Sequence, residues 1–130
     1  MADTIVFVVD DEQDNLEYMR AILEEEGCTV ETFDDGNAAL EKMRAAAPAL
    51  VFVDVQMPKI NGLQVLKGVR SLPDGATIPV VMLSAIGAVT GEDYSPELIE
   101  AKYGVRPNAF VSKPIVPEKV AEQVKLLLPA

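Results

Sequence analysis

The chain has 130 residues, of which 21 are acidic and 11 basic, so its formal net charge is −10. That length predicts a single domain, residues 1–130, with a core large enough to need no disulfide. The acidity argues against direct binding of nucleic acid or of an anionic membrane surface. Histidine is absent, which excludes a histidine-based catalytic triad, and no apolar stretch reaches membrane-spanning length. The lone Cys28 suits a reducing compartment, so we expect a cytoplasmic protein.

Short apolar runs alternate with amphipathic segments along the whole chain. The runs 5–9, 50–53 and 79–83 are rich in β-branched residues and apolar on both faces. This composition is typical of strands buried in a parallel sheet. Segments 29–33 and 109–111 are weaker strand candidates that suit the edges of that sheet.

Helical periodicity fills the segments between these strands. Leu16, Met19 and Leu23 lie three and four positions apart, and Gly27 follows where a glycine commonly ends a helix. Further helices are indicated by Ala39, Leu40 and Met43, by Leu63, Leu66 and Val69, by Ser95-Pro96-Glu97, and by Pro117-Glu118 at the start of the last one. Five βα units in succession predict an α/β fold, with a five-stranded parallel sheet covered by helices on both faces.

Polar residues follow the predicted strands where a parallel sheet binds its ligands, at the carboxyl ends. They are Asp10-Asp11-Glu12 after the first strand, Asp54 after the third, Ser84-Ala85 after the fourth, and Ser112-Lys113-Pro114 after the fifth. Because adjacent strand ends lie about 4.8 Å apart, we expect these side chains to converge on one pocket.

Such a pocket would hold three aspartates, a hydroxyl and a lysine. Clustered carboxylates repel one another unless a cation is present or a pKa rises. An all-oxygen ligand set suits Mg²⁺. Mg²⁺ beside a lysine and a hydroxyl can stabilise a phosphoryl group in transfer, and one aspartate could be the nucleophile.

Four markers stand in order at the ends of the predicted strands: Val9-Asp10-Asp11-Glu12, Asp54-Val55-Gln56-Met57-Pro58 with Gly62, Ser84-Ala85, and Lys113-Pro114. With these markers the chain resembles response-regulator receiver domains of the CheY type, over essentially its whole length. The resemblance implies a doubly wound sheet with strand order 2-1-3-4-5.

The resemblance also implies the chemistry of the site. Asp54 would accept a phosphoryl group from a phosphohistidine on a sensor histidine kinase or a histidine phosphotransfer protein. Mg²⁺ would be bound by Asp11, by Asp54 and by the backbone carbonyl of Gln56, with Asp10 acting mostly through water. Lys113 would pair with the phosphoryl oxygens, and the Lys113–Pro114 peptide would be cis.

A conformational switch is implied in the same way. Ser84 and the backbone amide of Ala85 would contact the phosphoryl group, and Phe110 would move inward with Ser84. Gln56 and Ile86 would flank the path of the hydrolytic water and so tune the lifetime of the phosphorylated state. A downstream protein partner would bind the face formed by residues 95–128. The protein would then be a switch and not an enzyme, apart from its own phosphorylation and dephosphorylation.

Other interpretations of these residues stay open. Asp10-Asp11-Glu12 could be only the acidic first turn of a helix, Ser84 a turn former and Phe110 a core residue. The chain could be an interaction module that signals without phosphorylation. It could also be a Mg²⁺-dependent aspartyl-phosphate phosphatase, although Gln56 then stands where such enzymes carry an acid.

The segment 86–94 departs from the pattern, because it makes the stretch before the fourth helix longer than in chemotaxis-type relatives. It is either a tolerated surface insertion or a remodelled output face.

Overall fold

The computed structural model describes residues 4–55, 57, 60–73, 75–84 and 96–128. Strands and helices alternate along them: β1 Ile5–Val9, α1 Gln13–Glu25, β2 Thr29–Phe33, α2 Gly36–Ala45, β3 Leu50–Asp54, α3 Gly62–Arg70, a 3₁₀ turn Gly75–Thr77, β4 Val80–Ser84, α4 Pro96–Tyr103, β5 Ala109–Ser112 and α5 Pro117–Leu127. The five predicted strands and five predicted helices are all present, so the prediction from periodicity is confirmed.

The strands form one parallel sheet in the order β2-β1-β3-β4-β5. This is the implied order 2-1-3-4-5, and the two weaker strands lie at the edges as predicted. The carboxyl ends of β1, β3, β4 and β5 are in close register: Val9 pairs with Val53, Asp54 with Leu83, and Ser84 with Ser112. The sheet therefore brings the predicted polar residues to one edge.

Each strand divides its side chains between two cores, because successive side chains point to opposite faces. Phe7 and Val53 belong to the core under α2 and α3. Val8 and Phe52 belong to the core under α1 and α5. Both faces of the sheet are thus covered, which explains why β1 is apolar throughout and why β3 and β4 are apolar up to their last residues. Cys28 is buried in the second core, and burial, followed by the nearby Glu26, raises the pKa of its thiol.

Two details differ from the sequence-based expectation. β3, β4 and β5 each end one residue later than predicted, so Asp54, Ser84 and Ser112 are the last residues of strands. Residues Gly75–Thr77 form a 3₁₀ turn, which the strand and helix patterns do not indicate, with the Gly75 amide donating to the Leu72 carbonyl at 2.9 Å. Within the described ranges, none of the helices has the length and apolarity to cross a bilayer.

Candidate functional site

Two buried carboxylates lie at the carboxyl edge of the sheet. Asp10 follows β1 directly and is 0% exposed, and Asp54 ends β3 and is 5% exposed. The Asp10 amide donates to the Phe33 carbonyl at 3.0 Å, and Asp10 Oδ1 accepts from the Glu12 amide at 2.9 Å. The backbone therefore fixes the carboxylate of Asp10 at the start of α1.

Lys113 reaches both of these carboxylates. Its Nζ lies 3.4 Å from Asp10 Oδ2 and 3.3 Å from Asp54 Oδ2, and its side chain is only 17% exposed. The Lys113 amide donates to the Ser84 carbonyl at 2.9 Å, which places the residue directly after the β4–β5 pairing. The Lys113–Pro114 peptide is cis, as the resemblance implied. Residues from β1, β3 and β5 thus meet at one point.

The ammonium group of Lys113 is held in its charged form. Burial lowers the pKa of Lys113, but the attraction and hydrogen bonds of Asp54 and Asp10 together outweigh burial, so the pKa is raised above its ordinary value. A permanent positive charge between two buried carboxylates limits the cost of burying them.

Asp11 and Glu12 extend the acidic edge into solvent. One carboxylate oxygen from each of Asp10, Asp11 and Glu12 lies within 4.8 Å of the others, and Asp11 and Glu12 are exposed. Hard oxygens at this spacing fit a divalent cation such as Mg²⁺. Asp54 is linked to these three acids by Lys113, whose Nζ contacts both Asp10 and Asp54. Glu12 was not among the predicted ligands, although its position directly after the two aspartates indicated that its carboxylate could lie near theirs.

The predicted switch residues lie on β4 and β5, the two strands that the amide of Lys113 follows. Ser84 is half-buried at the end of β4. Phe110 pairs with Met82 across the β4–β5 ladder and packs, partly buried, against the core under α2 and α3. Their positions suit the assigned roles, but movement in either residue stays a prediction.

Several predicted site features lie outside the described residues. They are Gln56 with its backbone carbonyl, Ala85, Ile86, the segment 86–94 and the capping residue Ser95.

The start of α3 lies against the end of β3. The Gly62 amide donates to the Val55 carbonyl at 2.9 Å. Asn61 caps the helix: its Oδ1 accepts from the Gln64 amide at 2.9 Å, while Gln64 Oε1 accepts from the Asn61 amide at 2.8 Å. This reciprocal cap satisfies two amides and fixes the first turn of α3 beside Asp54.

Comparison with known proteins yields a consistent set of relatives. A family model described as the response regulator receiver domain matches residues 6–125. Regulatory protein VanRc of Enterococcus gallinarum is 34% identical over 128 residues, which cover 98% of this chain and 51% of that protein. The chain therefore spans about half the length of such curated relatives.

Solved structures agree with this match. Chemotaxis protein CheY4 of Vibrio cholerae superimposes with a TM-score of 0.83 at 28% identity, covering 98% of this chain and 100% of that one. The receiver domain of a signal transduction histidine kinase from Syntrophus aciditrophicus gives a TM-score of 0.80 at 26% identity, covering 96% and 89%.

Proposed function

This chain belongs to the response regulator receiver domain family, and from that premise we propose that it is a phosphoacceptor switch with Asp54 as the acceptor. Receiver domains are signalling switches of two-component systems, and they pair with histidine kinases. The observation that carries the proposal is the contact of Lys113 Nζ with both Asp10 and Asp54, at 3.4 and 3.3 Å. It joins three of the proposed site residues, which stand far apart in the sequence, in one buried cluster.

The proposed reaction transfers a phosphoryl group from a partner's phosphohistidine. An oxygen of the Asp54 carboxylate attacks phosphorus, the phosphorus–nitrogen bond breaks, and the imidazole nitrogen leaves with the electron pair. The product is an acyl phosphate on Asp54. Lys113, whose Nζ already lies 3.3 Å from Asp54 Oδ2, would then pair with the added negative charge of the phosphoryl group.

Mg²⁺ is part of the proposal, since the receiver family binds it at the acidic site. Asp10, Asp11 and Asp54 would bind it, together with the backbone carbonyl of Gln56. The bound ion would neutralise charge on the phosphoryl oxygens during transfer. Asp10 has a second task, because its Oδ1 accepts from the Glu12 amide and so holds the start of α1 in place.

The signal would be read as a change in partner affinity. Ser84 and the Ala85 amide would contact the phosphoryl oxygens only in one arrangement, with Phe110 following, and this difference in contacts supplies the free energy that shifts the population. A downstream protein would bind the face formed by residues 95–128. We also propose one receiver domain over residues 1–130 and a cytoplasmic location, which a single buried cysteine suits.

The proposal is tested by incubating the protein with acetyl phosphate and Mg²⁺ and measuring its intact mass. We expect the gain of one phosphoryl group, which is lost on chelation and in Asp54→Asn. Asp14→Asn, an equally conservative change of an exposed acid in the first turn of α1, is the matched control and should label normally.

The other functions give different results in the same experiment. An interaction module that signals without phosphorylation would gain no mass. A phosphatase would turn over an added substrate such as p-nitrophenyl phosphate at a steady rate. Either result, or normal labelling of Asp54→Asn, would overturn the proposal.

A further inference from the structure

We infer that Gly62 is a positioning residue for Asp54, a role that rests on the proposed function. A β-carbon built on Gly62 would overlap the carbonyl oxygen of Asp54 and would lie 2.8 Å from Val55 Cα and 3.0 Å from the Asp54 carbonyl carbon. All three are backbone atoms. No rotation of a side chain can therefore relieve the overlap, and the backbone of Gly62 and the backbone that carries the Asp54 carboxylate must move apart.

Hydrogen bonds also hold the first turn of α3 against the backbone of Asp54 and Val55. The Gly62 amide bonds to the Val55 carbonyl at 2.9 Å, and the reciprocal cap between Asn61 and Gln64 holds the turn closed. The two segments thus meet backbone to backbone, one residue beyond the end of β3. Contact this close holds the backbone of Asp54 in place at the end of β3, and with it the distance from the Asp54 carboxylate to Lys113 and to a bound cation.

Two other glycines, one on α2 and one on α3, make no such close contact with backbone atoms. A β-carbon on Gly36 would meet Val65 Cγ2 at 2.5 Å, and one on Gly68 would meet Leu40 Cδ1 at 2.7 Å. Both contacts are with the ends of side chains, which can shift. Substitution there would disturb the packing of α2 against α3 without displacing the backbone of Asp54.

Gly75 provides a matched control in the same chain. A β-carbon at Gly75 would overlap the carbonyl oxygen of Val69 and lie 2.8 Å from the Val69 carbonyl carbon, so the overlap is again with backbone. Gly75 precedes β4, at the amino end of the sheet, whereas Gly62 lies at the carboxyl end beside Asp54. Both substitutions should destabilise the fold, but only one of them should disturb the site.

The experiment compares Gly62→Ala with Gly75→Ala under conditions in which circular dichroism shows both to be folded. Phosphorylation by acetyl phosphate is followed by intact mass, and Mg²⁺ affinity by calorimetry. A displacement of about 1 Å can slow a transfer reaction by about 100-fold, so we expect Gly62→Ala to label roughly 10- to 100-fold more slowly and to bind Mg²⁺ several-fold more weakly. Gly75→Ala should match the wild type in both. Equal rates and equal Mg²⁺ affinities in the two variants would overturn the inference.

A milder variant covers the case in which Gly62→Ala does not fold. Asn61→Ala removes the cap without adding atoms at Gly62, and it should slow labelling by about 3-fold, because a lost cap loosens the first turn of the helix. An unchanged rate would contradict the inference. If the wild type itself gains no phosphoryl group, the proposed function fails, and the Mg²⁺ affinities of the glycine variants still decide whether Gly62 positions the site.

Discussion

At the scale of single residues, Lys113 balances charge in the site. Its ammonium group lies between two carboxylates that the fold buries, Asp10 and Asp54. Removing one partner of a buried ion pair is strongly destabilising, because the remaining charge stays buried without compensation. Under the proposed function the same ammonium group also pairs with the phosphoryl oxygens, so that stability and signalling would both depend on one side chain.

Lys113→Ala should therefore lower the free energy of unfolding by about 3 kcal/mol in EDTA. Saturating Mg²⁺ should recover much of that loss, because a divalent cation can take over the neutralisation of both carboxylates. Urea denaturation followed by circular dichroism measures both quantities. Lys119→Ala, at an exposed site on α5, is the control and should change little. Equal losses in the two variants, or no rescue by Mg²⁺, would contradict this role.

The raised pKa of Lys113 gives the pH dependence of this contribution. Burial alone would lower the pKa, but Asp54 and Asp10 raise it above its unfolded value. The stabilisation is then complete below the unfolded pKa, about 10.4, and is lost as pH rises through the folded-state value. The stability difference between wild type and Lys113→Ala should stay constant from about pH 7 to 9 and shrink above about pH 10.5. A difference that already falls between pH 7 and 9 would be inconsistent with this assignment.

At the scale of secondary-structure elements, Arg70 ties the end of α3 to the starts of two strands. Its Nη1 donates to the carbonyls of Gly75 and Ile78 at 2.8 and 2.6 Å. Its Nε and Nη2 donate to the Arg106 carbonyl at 3.2 and 3.0 Å, and Nη2 also donates to Asn108 Oδ1 at 2.9 Å. These five bonds match the five donors of a guanidinium group.

Asn108 links Arg70 to the sheet, because its Oδ1 also accepts a hydrogen bond from the amide of Val80, the first residue of β4, at 2.9 Å. The Arg106 side chain pairs with Glu97 and Glu100 on α4, at 3.0 and 3.5 Å. One polar network therefore joins α3, α4, β4 and β5 at the amino edge of the sheet, opposite the proposed phosphosite. Burial lowers the pKa of Arg70, but a guanidinium group stays charged throughout the working range.

Arg70→Lys should destabilise the protein by about 2–4 kcal/mol, because an ammonium group cannot reproduce the planar fork and leaves carbonyl groups without donors. Mg²⁺ affinity should not change, since the network lies at the other edge of the sheet. Arg44→Lys is the matched control, because exposed Arg44 pairs with exposed Glu41 on its own helix, at 2.7 Å. Urea denaturation and calorimetry test the two statements. A loss of unfolding free energy no larger than that of Arg44→Lys would show that the network does not stabilise the fold.

Sequence patterns predicted the elements because the central strands are apolar on both faces and the helices on one. The convergence of Asp10, Asp54 and Lys113 followed from strand polarity alone, once the sheet was known to be parallel. Arg70 could not have been found in this way, because its acceptors are mostly backbone carbonyls, which every residue carries. The contact of Gly62 with Asp54 escaped prediction for a similar reason: a missing side chain leaves no pattern until the backbone is placed.

At the scale of the whole molecule, one sheet serves two cores and the site. β1 and β3 are adjacent at its centre, contribute to both cores, and carry Asp10 and Asp54 at their carboxyl ends. The acidic edge is thus built on the most buried part of the fold, and a ligand that bridges these ends acts on the whole cooperative unit. The net charge of −10 adds a general attraction for cations but cannot by itself create a specific site.

Mg²⁺ should therefore raise the stability of the entire domain and not of a local segment. A ligand that binds only the folded state at 100 times its dissociation constant adds about 2.7 kcal/mol. We expect a gain of this size between EDTA and saturating Mg²⁺, measured by urea denaturation, with circular dichroism and one-dimensional NMR reporting the same midpoint. Asp11→Asn should abolish most of the gain, because it removes an exposed carboxylate from the acidic group without touching the buried pair.

The control separates site binding from the effect of net charge. Asp14→Asn removes the same charge from an exposed position in the first turn of α1, outside the acidic group formed by Asp10, Asp11 and Glu12. If general electrostatics produced the gain, the two variants would lose equal amounts of it, and about 0.5 M KCl would remove the gain in the wild type, because exposed charges are screened within a few ångströms at that ionic strength. If the carboxyl ends of β1 and β3 bind the cation, Asp14→Asn keeps the gain and high salt only weakens the affinity. The distinction matters for signalling, because only a cation fixed at those strand ends can act on a phosphoryl group attached to Asp54.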